Sequence, residues 1–281
     1  MYPYGTNMPP PERIISLRLK KLGGVISARR VEMTEGFPHN HTIKRSIAMR
    51  LDKFISSQRT DLSRNDVKAL VRKGLVTVNG QAVRKSDIQI DENSARVTVN
   101  GEEISYREFL YLMLNKPQGV VCSTKEGACP TVIDIIPEEY RREGLFPAGR
   151  LDKDTEGFVL LTDDGQLAHR MLSPRSHVPK RYFVRLEKPC EQGYCEAFES
   201  GMTIDGNEKC LPAQLFPLDN ENECEVVLHE GKFHQIKRMF EALGNKVIYL
   251  KRIMIGSLPL DDSLPLGGVK EIEDITPLEE R

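Results

Sequence analysis

Between Pro147 and Gly165 the chain reads Pro-Ala-Gly-Arg-Leu-Asp-Lys-Asp-Thr-Glu-Gly-Phe-Val-Leu-Leu-Thr-Asp-Asp-Gly. Pro147 and Gly149 keep its first part out of regular structure, which crowds Arg150, Asp152 and Asp154 together. Gly157 then gives way to the apolar run Phe158 to Thr162, short enough for a buried strand, and Asp163-Asp164-Gly165 closes it as a turn. A carboxylate on such a loop is held rigidly at the edge of a cleft, where it can serve as a nucleophile or a general acid or base. Asp152 with Asp154 or Glu156 would also suit glycoside hydrolysis, but the chain has no Trp for sugar stacking. The plainer reading is a surface loop with an Arg–Asp ion pair.

Three other stretches carry chemically useful side chains. Ile236, Met239, Phe240 and Leu243 form the apolar stripe of a packed helix that Gly244 ends. The stripe leaves Lys237 either as a solvated lysine or as a cation for a carboxylate, and His234 as a satisfied polar residue. Arg175, His177, Lys180 and Arg181 form a basic loop beside the cleft, and Tyr182 to Leu186 then alternates as a strand. Asn115-Lys116-Pro117-Gln118-Gly119 reads as a proline-fixed turn at the cleft, with Lys116 able to reach a phosphate.

The elements that position these residues can be read in chain order. Residues 1–48 lack a core-forming pattern and are expected to be a flexible basic extension or a mis-assigned start. From Met49, Leu51, Phe54 and Ile55 share a helical face. A second helix begins at Ser63, with Asp66 completing a capping box, and carries Val67, Leu70 and Val71 inward. Asn79-Gly80 and Asn100-Gly101 are hairpin turns, and Glu102 to Glu108 reads as a linker. Tyr111 to Leu114 is a buried strand. Gln166 to Leu172 suits a helix stopped by Ser173-Pro174, Glu191 to Ser200 a helix capped by Gly201, and Glu223 to His229 a strand.

In 281 residues the net charge is only −1, yet it is distributed unevenly. Residues 1–48 carry eight basic against three acidic side chains, and residues 49–90 nine against four; the remainder carries 23 against 34. A nucleic-acid partner would therefore meet its phosphate attraction mainly in the N-terminal third. No apolar run reaches membrane-spanning length, no secretory segment is visible, and the six cysteines form no Cys-x-x-Cys pair. These features predict a cytoplasmic chain with reduced thiols and no membrane association.

Gly149-Arg150-Leu151-Asp152, Asp154-Thr155-Glu156-Gly157 and Leu160 to Gly165 together resemble the catalytic motif of the RsuA/RluB-type pseudouridine synthases, which isomerise uridine in ribosomal RNA. Asn115 to Gly119 is similar to that family's first motif, Lys180-Arg181-Tyr182 to its Lys-x-Tyr motif, and His234 to Phe240 to its late motif. Residues 49–92 resemble an S4 RNA-binding domain. The resemblance implies an α+β protein, with an S4-like domain and linker over 49–106 and a mixed-sheet pseudouridine synthase catalytic domain over 107–281. It implies Asp152 as catalytic nucleophile on ribose or base, Lys237 as its cationic partner, and Tyr182 as the residue stacking on the target base.

RNA contacts are expected from Arg50, Lys53, Arg64, Lys68, Arg72, Lys73, Lys116, Arg150, Lys180, Arg181 and Arg238. No metal or other cofactor is expected. Details such as Gln118-Gly119 and His234-Gln235 lean toward the small-subunit branch, so the expected partner is 16S ribosomal RNA or a small-subunit assembly intermediate, bound by a monomer. The alternatives are a large-subunit (23S) synthase and a non-catalytic S4-type RNA-binding or assembly factor. One echo matters. Arg50-Leu51-Asp52-Lys53 repeats Arg150-Leu151-Asp152-Lys153, but Asp52 falls in a helix's first turn, where it needs only a modest stabilising role.

Overall fold

The computed structural model describes residues 48–280 apart from Glu126, Pro174 and Arg175. The expected N-terminal extension, the Pro174 helix stop and the basic loop position Arg175 lie outside the described residues.

The N-terminal domain follows its sequence pattern closely. Strand β1 (Ala48–Arg50) leads into α1 (Leu51–Gln58), and α2 (Arg64–Arg72) packs against it. Ser63 and Asp66 form the anticipated reciprocal cap: the Ser63 hydroxyl accepts from the Asp66 amide at 3.2 Å, and the Asp66 carboxylate accepts from the Ser63 amide at 2.9 Å. Strands β2 (Val76–Val78) and β3 (Gln81–Ala82) are joined by Asn79-Gly80, both at positive φ as this tight hairpin turn requires. Strand β4 (Gln89–Asp91) pairs with β1, and β5 (Val97–Val99) with β2. Phe54, Ile55, Val67, Val76 and Val97 are fully enclosed between the helices and the strands. Part of the anticipated linker is instead β6 (Glu102–Ile104), which continues past Asn100-Gly101 to pair with β5. Its Glu102 and Glu103 are exposed and only Ile104 is buried, so the polar composition conceals an edge strand.

Beyond it lies one mixed sheet of nine strands. These are β7 (Tyr111–Lys116), β8 (Phe146–Pro147), β9 (Glu156–Thr162), β10 (Lys180–Leu186), β13 (Gln214–Pro217), β14 (Glu223–Leu228), β15 (Val247–Ile255), β16 (Leu258–Pro259) and β17 (Val269–Glu271). A separate short pair, β11 (Thr203–Ile204) and β12 (Glu208–Lys209), stands apart from that sheet. The order across the main sheet is β13-β14-β10-β15-β9-β7-β17, with β16 on β15 and β8 on β9. All of its neighbours are antiparallel except β9 and β15, which run parallel at Glu156–Lys251 and Gly157–Arg252.

Strand β9 is buried on both faces. Val159 and Leu161 join an apolar layer with α4 (Gly193–Ser200) and α5 (Gln235–Ala242), whereas Phe158 and Leu160 join a second layer with α3 (Gly165–Leu172). This explains the unbroken apolar run in its sequence. Asp163-Asp164-Gly165 does more than turn the chain, because Asp164 caps α3 by accepting from the Gln166 and Leu167 amides at 2.9 Å. Lys180 and Arg181 belong to β10 rather than to the loop before it.

Asp52 needs a correction. It is buried, and Arg50 grips it through two bonds of 2.6 and 3.1 Å, which, together with the surrounding hydrogen bonding, hold its carboxyl below the usual aspartate range. It is therefore a structural ion pair rather than a helix-dipole ornament. Asp52→Asn should destabilise the fold by about 1–2 kcal/mol, part of the interaction being screened by the half-exposed Arg50. A depressed folded-state pKa stabilises above the unfolded value near 4 and loses that effect as pH falls through the folded one. In urea unfolding the deficit should thus be full at pH 7 and shrink steadily in acid; a pH-independent deficit would contradict the ion-pair account.

Candidate active site

The loop from Ala148 to Thr155 is fixed at both ends of its charged part. Leu151 and Thr155 are buried, so the chain between them can expose Asp152 without being free to wander. The Leu151 amide donates to Cys122 Sγ at 3.3 Å, the Gly119 amide to Lys153 O at 2.8 Å, and the Thr155 amide to Asp152 O at 3.1 Å.

Beneath the loop lies Lys116, fully buried, its Nζ donating to Thr155 O at 2.8 Å, Pro117 O at 3.0 Å and Lys153 O at 3.4 Å. The expected phosphate contact of Lys116 is therefore corrected: no solvent-facing ammonium is available, and the side chain instead ties the loop to the end of β7. Burial lowers its pKa below that of an ordinary lysine, opposed in part by the nearby Asp154 and Asp152 charges.

Helix α5 brings the cation. Ile236, Met239 and Phe240 bury one face of the helix, which turns Lys237 toward the loop. Its Nζ donates to Asp152 Oδ2 at 3.1 Å and to Asp154 Oδ1 at 2.6 Å. Burial disfavours the charge on Lys237, but the bonds to Asp154 and Asp152 outweigh it and raise its pKa above the lysine norm. Asp154 also resists a burial penalty and is held below the usual range by Lys237. His234 stands at the head of the helix with its Nε2 3.6 Å from Asp152 Oδ1. The Asp152 side chain keeps 26% of its surface exposed and Asp154 69%. Asp152 is thus the more enclosed of the two carboxylates, and the one set deeper in the site.

A row across the sheet forms the floor. Lys116, Gly157, Arg252 and Tyr182 are register partners on β7, β9, β15 and β10. Tyr182 is only 8% exposed and shares its apolar layer with Leu151 and Ile236, the neighbours of Asp152 and Lys237. Arg252 is buried; its Nε donates to Phe158 O at 2.7 Å, and its Nη2 has no hydrogen-bond partner among the described residues. Glu156 faces away from this row and accepts from Tyr249 Oη at 2.6 Å. That removes Glu156 as a second carboxylate for a hydrolytic pair with Asp152.

The structure therefore joins Asp152 to Lys237, sets Tyr182 in the strand row and apolar layer that also hold their neighbours, and divides the expected RNA contacts. Lys53, Arg64, Lys68, Arg72 and Lys73 are exposed on and beside α1 and α2, with Arg64, Lys68 and Arg72 recurring every fourth residue; Arg150 is exposed on the loop. Arg50 is half-exposed but engaged with Asp52. Three others are occupied within the protein. Arg181 pairs with Glu225 at 3.2 Å, and Arg238 with Asp205 and, at 2.8 Å, with Glu208. Lys180 donates to Val178 O at 2.9 Å, and burial together with the Arg252 charge pushes its pKa down to about 8. Sequence reasoning did not anticipate the hold of Asp154 on Lys237, the approach of His234 or the place of Arg252. Only Asp154 had a signal, its i+2 spacing from Asp152.

Comparison with known proteins agrees with this arrangement. Residues 110–242 match the family described as RNA pseudouridylate synthase, and residues 49–95 match the S4 domain. The chain is 46% identical over 229 residues to the uncharacterized RNA pseudouridine synthase YtzG of Bacillus subtilis, covering 80% of this chain and 95% of that protein. It is 43% identical over 227 residues to ribosomal small subunit pseudouridine synthase A of Haemophilus influenzae, covering 80% of this chain and 96% of the relative. A crystal structure of a pseudouridylate synthase is 39% identical, with a TM-score of 0.56, over 80% of this chain and 96% of that one. Near-complete coverage of these relatives, joined to the motif loop and its lysine, places this chain in the family of RNA pseudouridine synthases, enzymes that isomerise uridine to pseudouridine.

Proposed function

We propose that the chain isomerises a uridine of 16S ribosomal RNA, alone or in a small-subunit assembly intermediate, with Asp152 as nucleophile, Lys237 as its cationic partner and Tyr182 as the aromatic wall beside the target base. The observation that carries this reading is the 3.1 Å bond from Lys237 to Asp152 within the motif loop. The choice of RNA is supported by relatives such as ribosomal small subunit pseudouridine synthase A of Haemophilus influenzae and of Vibrio cholerae. A cytoplasmic location, where ribosomal RNA is made into subunits, belongs to the same proposal.

The chemistry follows from the charges. The Lys237 ammonium donates to Asp152 Oδ2 and holds the carboxylate in place for attack, with opposite charge beside it throughout. Attack by Asp152 accompanies cleavage of the N1–C1′ bond. The freed uracil turns, C5 bonds to C1′ as the carboxylate is released, C5 gives up its proton and N1 takes one up from solvent, so product and substrate are isomers and the C5 hydrogen is lost to water. Tyr182, Leu151 and Ile236 add an apolar layer to a floor that also holds the buried Lys116 and Arg252, which favours retention of the base over its loss to water. The exposed cations of α1 and α2 supply phosphate contacts that position the RNA without reading it.

Carbodiimide mapping of pseudouridine in ribosomal RNA from cells with and without the protein tests the substrate: one 16S position should lose its modification. Loss of a 23S position instead would contradict the small-subunit assignment. For Lys237→Met, single-turnover rates should fall by about 100-fold or more, as for loss of a preorganised electrostatic partner. Affinity for the RNA, read by filter binding, should change little, because Lys237 faces carboxylates rather than phosphate. Parallel losses of rate and affinity would show that it contacts RNA directly.

A further inference from the structure

Phe233 stands out as the most exposed large apolar side chain among the described residues, with 74% of its surface open to solvent. A single exposed apolar residue is ordinary in a folded protein. This one is presented in an unusual way. Its ring lies almost parallel to the imidazole of His234, centroids 3.8 Å apart at 18°, and that imidazole reaches to 3.6 Å from Asp152. One face of Phe233 is thus covered, and the opposite face is left to solvent beside the site.

The segment that carries the two rings is fixed from both sides. Before it, the Lys232 amide donates to Gln235 Oε1 at 3.0 Å, and the buried Gln235 is itself held by Glu230. After it, Arg238 Nη1 donates to Phe233 O at 3.0 Å, while Asp205 and Glu208 hold that guanidinium. His234 adopts φ +50°, a left-handed conformation that non-glycine residues rarely occupy and that persists where the surroundings over-determine it. The backbone is therefore constrained to offer an apolar ring outward, one residue from the group that contacts Asp152.

We propose that the outer face of Phe233, backed by His234, is a stacking platform for a base adjacent to the target uridine in the RNA. The proposal rests on the reading of Asp152 as the reacting group. Taking a uridine out of its stack uncovers a face on each neighbouring base, and the cost of extraction falls when that face finds a new partner. Tyr182, almost entirely buried in the floor, serves the target base and is not open to a second one. Phe233 is the aromatic face left at the rim, and stacking on it requires no particular base identity. It would hold the flanking nucleotide outside the site while the target enters.

The test uses the full chain. Tritium release from C5-labelled uridine in 16S and 23S transcripts, free or assembled with ribosomal proteins, identifies the modified RNA, carbodiimide mapping locates the uridine in it, and synthetic RNA fragments spanning that position are then made intact or abasic at either flanking position. With intact RNA, Phe233→Ala should raise KM or lower kcat/KM by about tenfold, in line with loss of one base–aromatic stack, whereas Phe233→Trp should stay near the unsubstituted protein. An abasic residue at one flanking position should cost the unsubstituted protein a similar factor and cost Phe233→Ala almost nothing more. Additive losses at both positions, or unchanged kinetics in Phe233→Ala, overturn the platform while leaving the reaction assignment standing. Failure of the unsubstituted protein to release tritium from either RNA, free or assembled with ribosomal proteins, overturns the reaction assignment and the platform with it.

Discussion

The parallel pairing of β9 with β15 is the constraint on which the rest of the catalytic domain depends. It is the one parallel contact in a sheet whose other neighbours are antiparallel, and it makes the loop before β9 and the helix before β15 converge on one side. The close approach requires Gly157. This residue has φ +101°, and a Cβ there would lie 2.2 Å from the Arg252 carbonyl oxygen. With any larger residue the strands would separate, and Asp152 would lose its distance to Lys237. A glycine five residues from the carboxylate thus sets the geometry of an ion pair in which it takes no part.

Electrostatics then act on that geometry. Two buried cations, Lys116 and Arg252, occupy the row that underlies the loop, and Lys237 closes it from the helix side. Burying a charge is costly unless it is well bonded. Lys116 meets this condition with three backbone carbonyls, and in doing so it immobilises the Asp152 loop. Lys237 divides its bonds between Asp152 and the more exposed Asp154, so the cluster carries one cation for two carboxylates. Bringing the uridine in displaces water from this group, which strengthens whichever of the two bonds survives.

Much of this architecture was legible from residue types alone. The capping box at Ser63 and Asp66, the Asn-Gly hairpins and the apolar stripe of α5 are local signals, and local physics decides them. The pairing of Lys237 with Asp152 spans 85 positions and had no local signal; motif resemblance suggested it, and the sheet order realises it. Charge was the least reliable guide. Lys116, Arg238 and Arg181 look like phosphate ligands in a basic sequence, but burial or a nearby carboxylate engages each of them inside the protein. A lysine's environment depends on which strand lies beside it, and the one-dimensional pattern does not contain that. Asp52 failed in the same way: its motif echo drew attention to the wrong comparison, while the Arg50 pair that defines its role was simply two residues away.

The central claim is that Asp152, rather than its neighbour Asp154, attacks the substrate while Lys237 serves both. Asn replaces either carboxylate with a group of nearly the same shape, so the comparison isolates charge and nucleophilicity. Tritium release from C5-labelled uridine in the RNA that the unsubstituted protein modifies should be abolished in Asp152→Asn, with RNA binding and circular dichroism retained. Asp154→Asn, which leaves Lys237 to Asp152 alone, should continue to release tritium through full turnovers. Substantial release by Asp152→Asn, or its abolition by Asp154→Asn alone, would contradict the account.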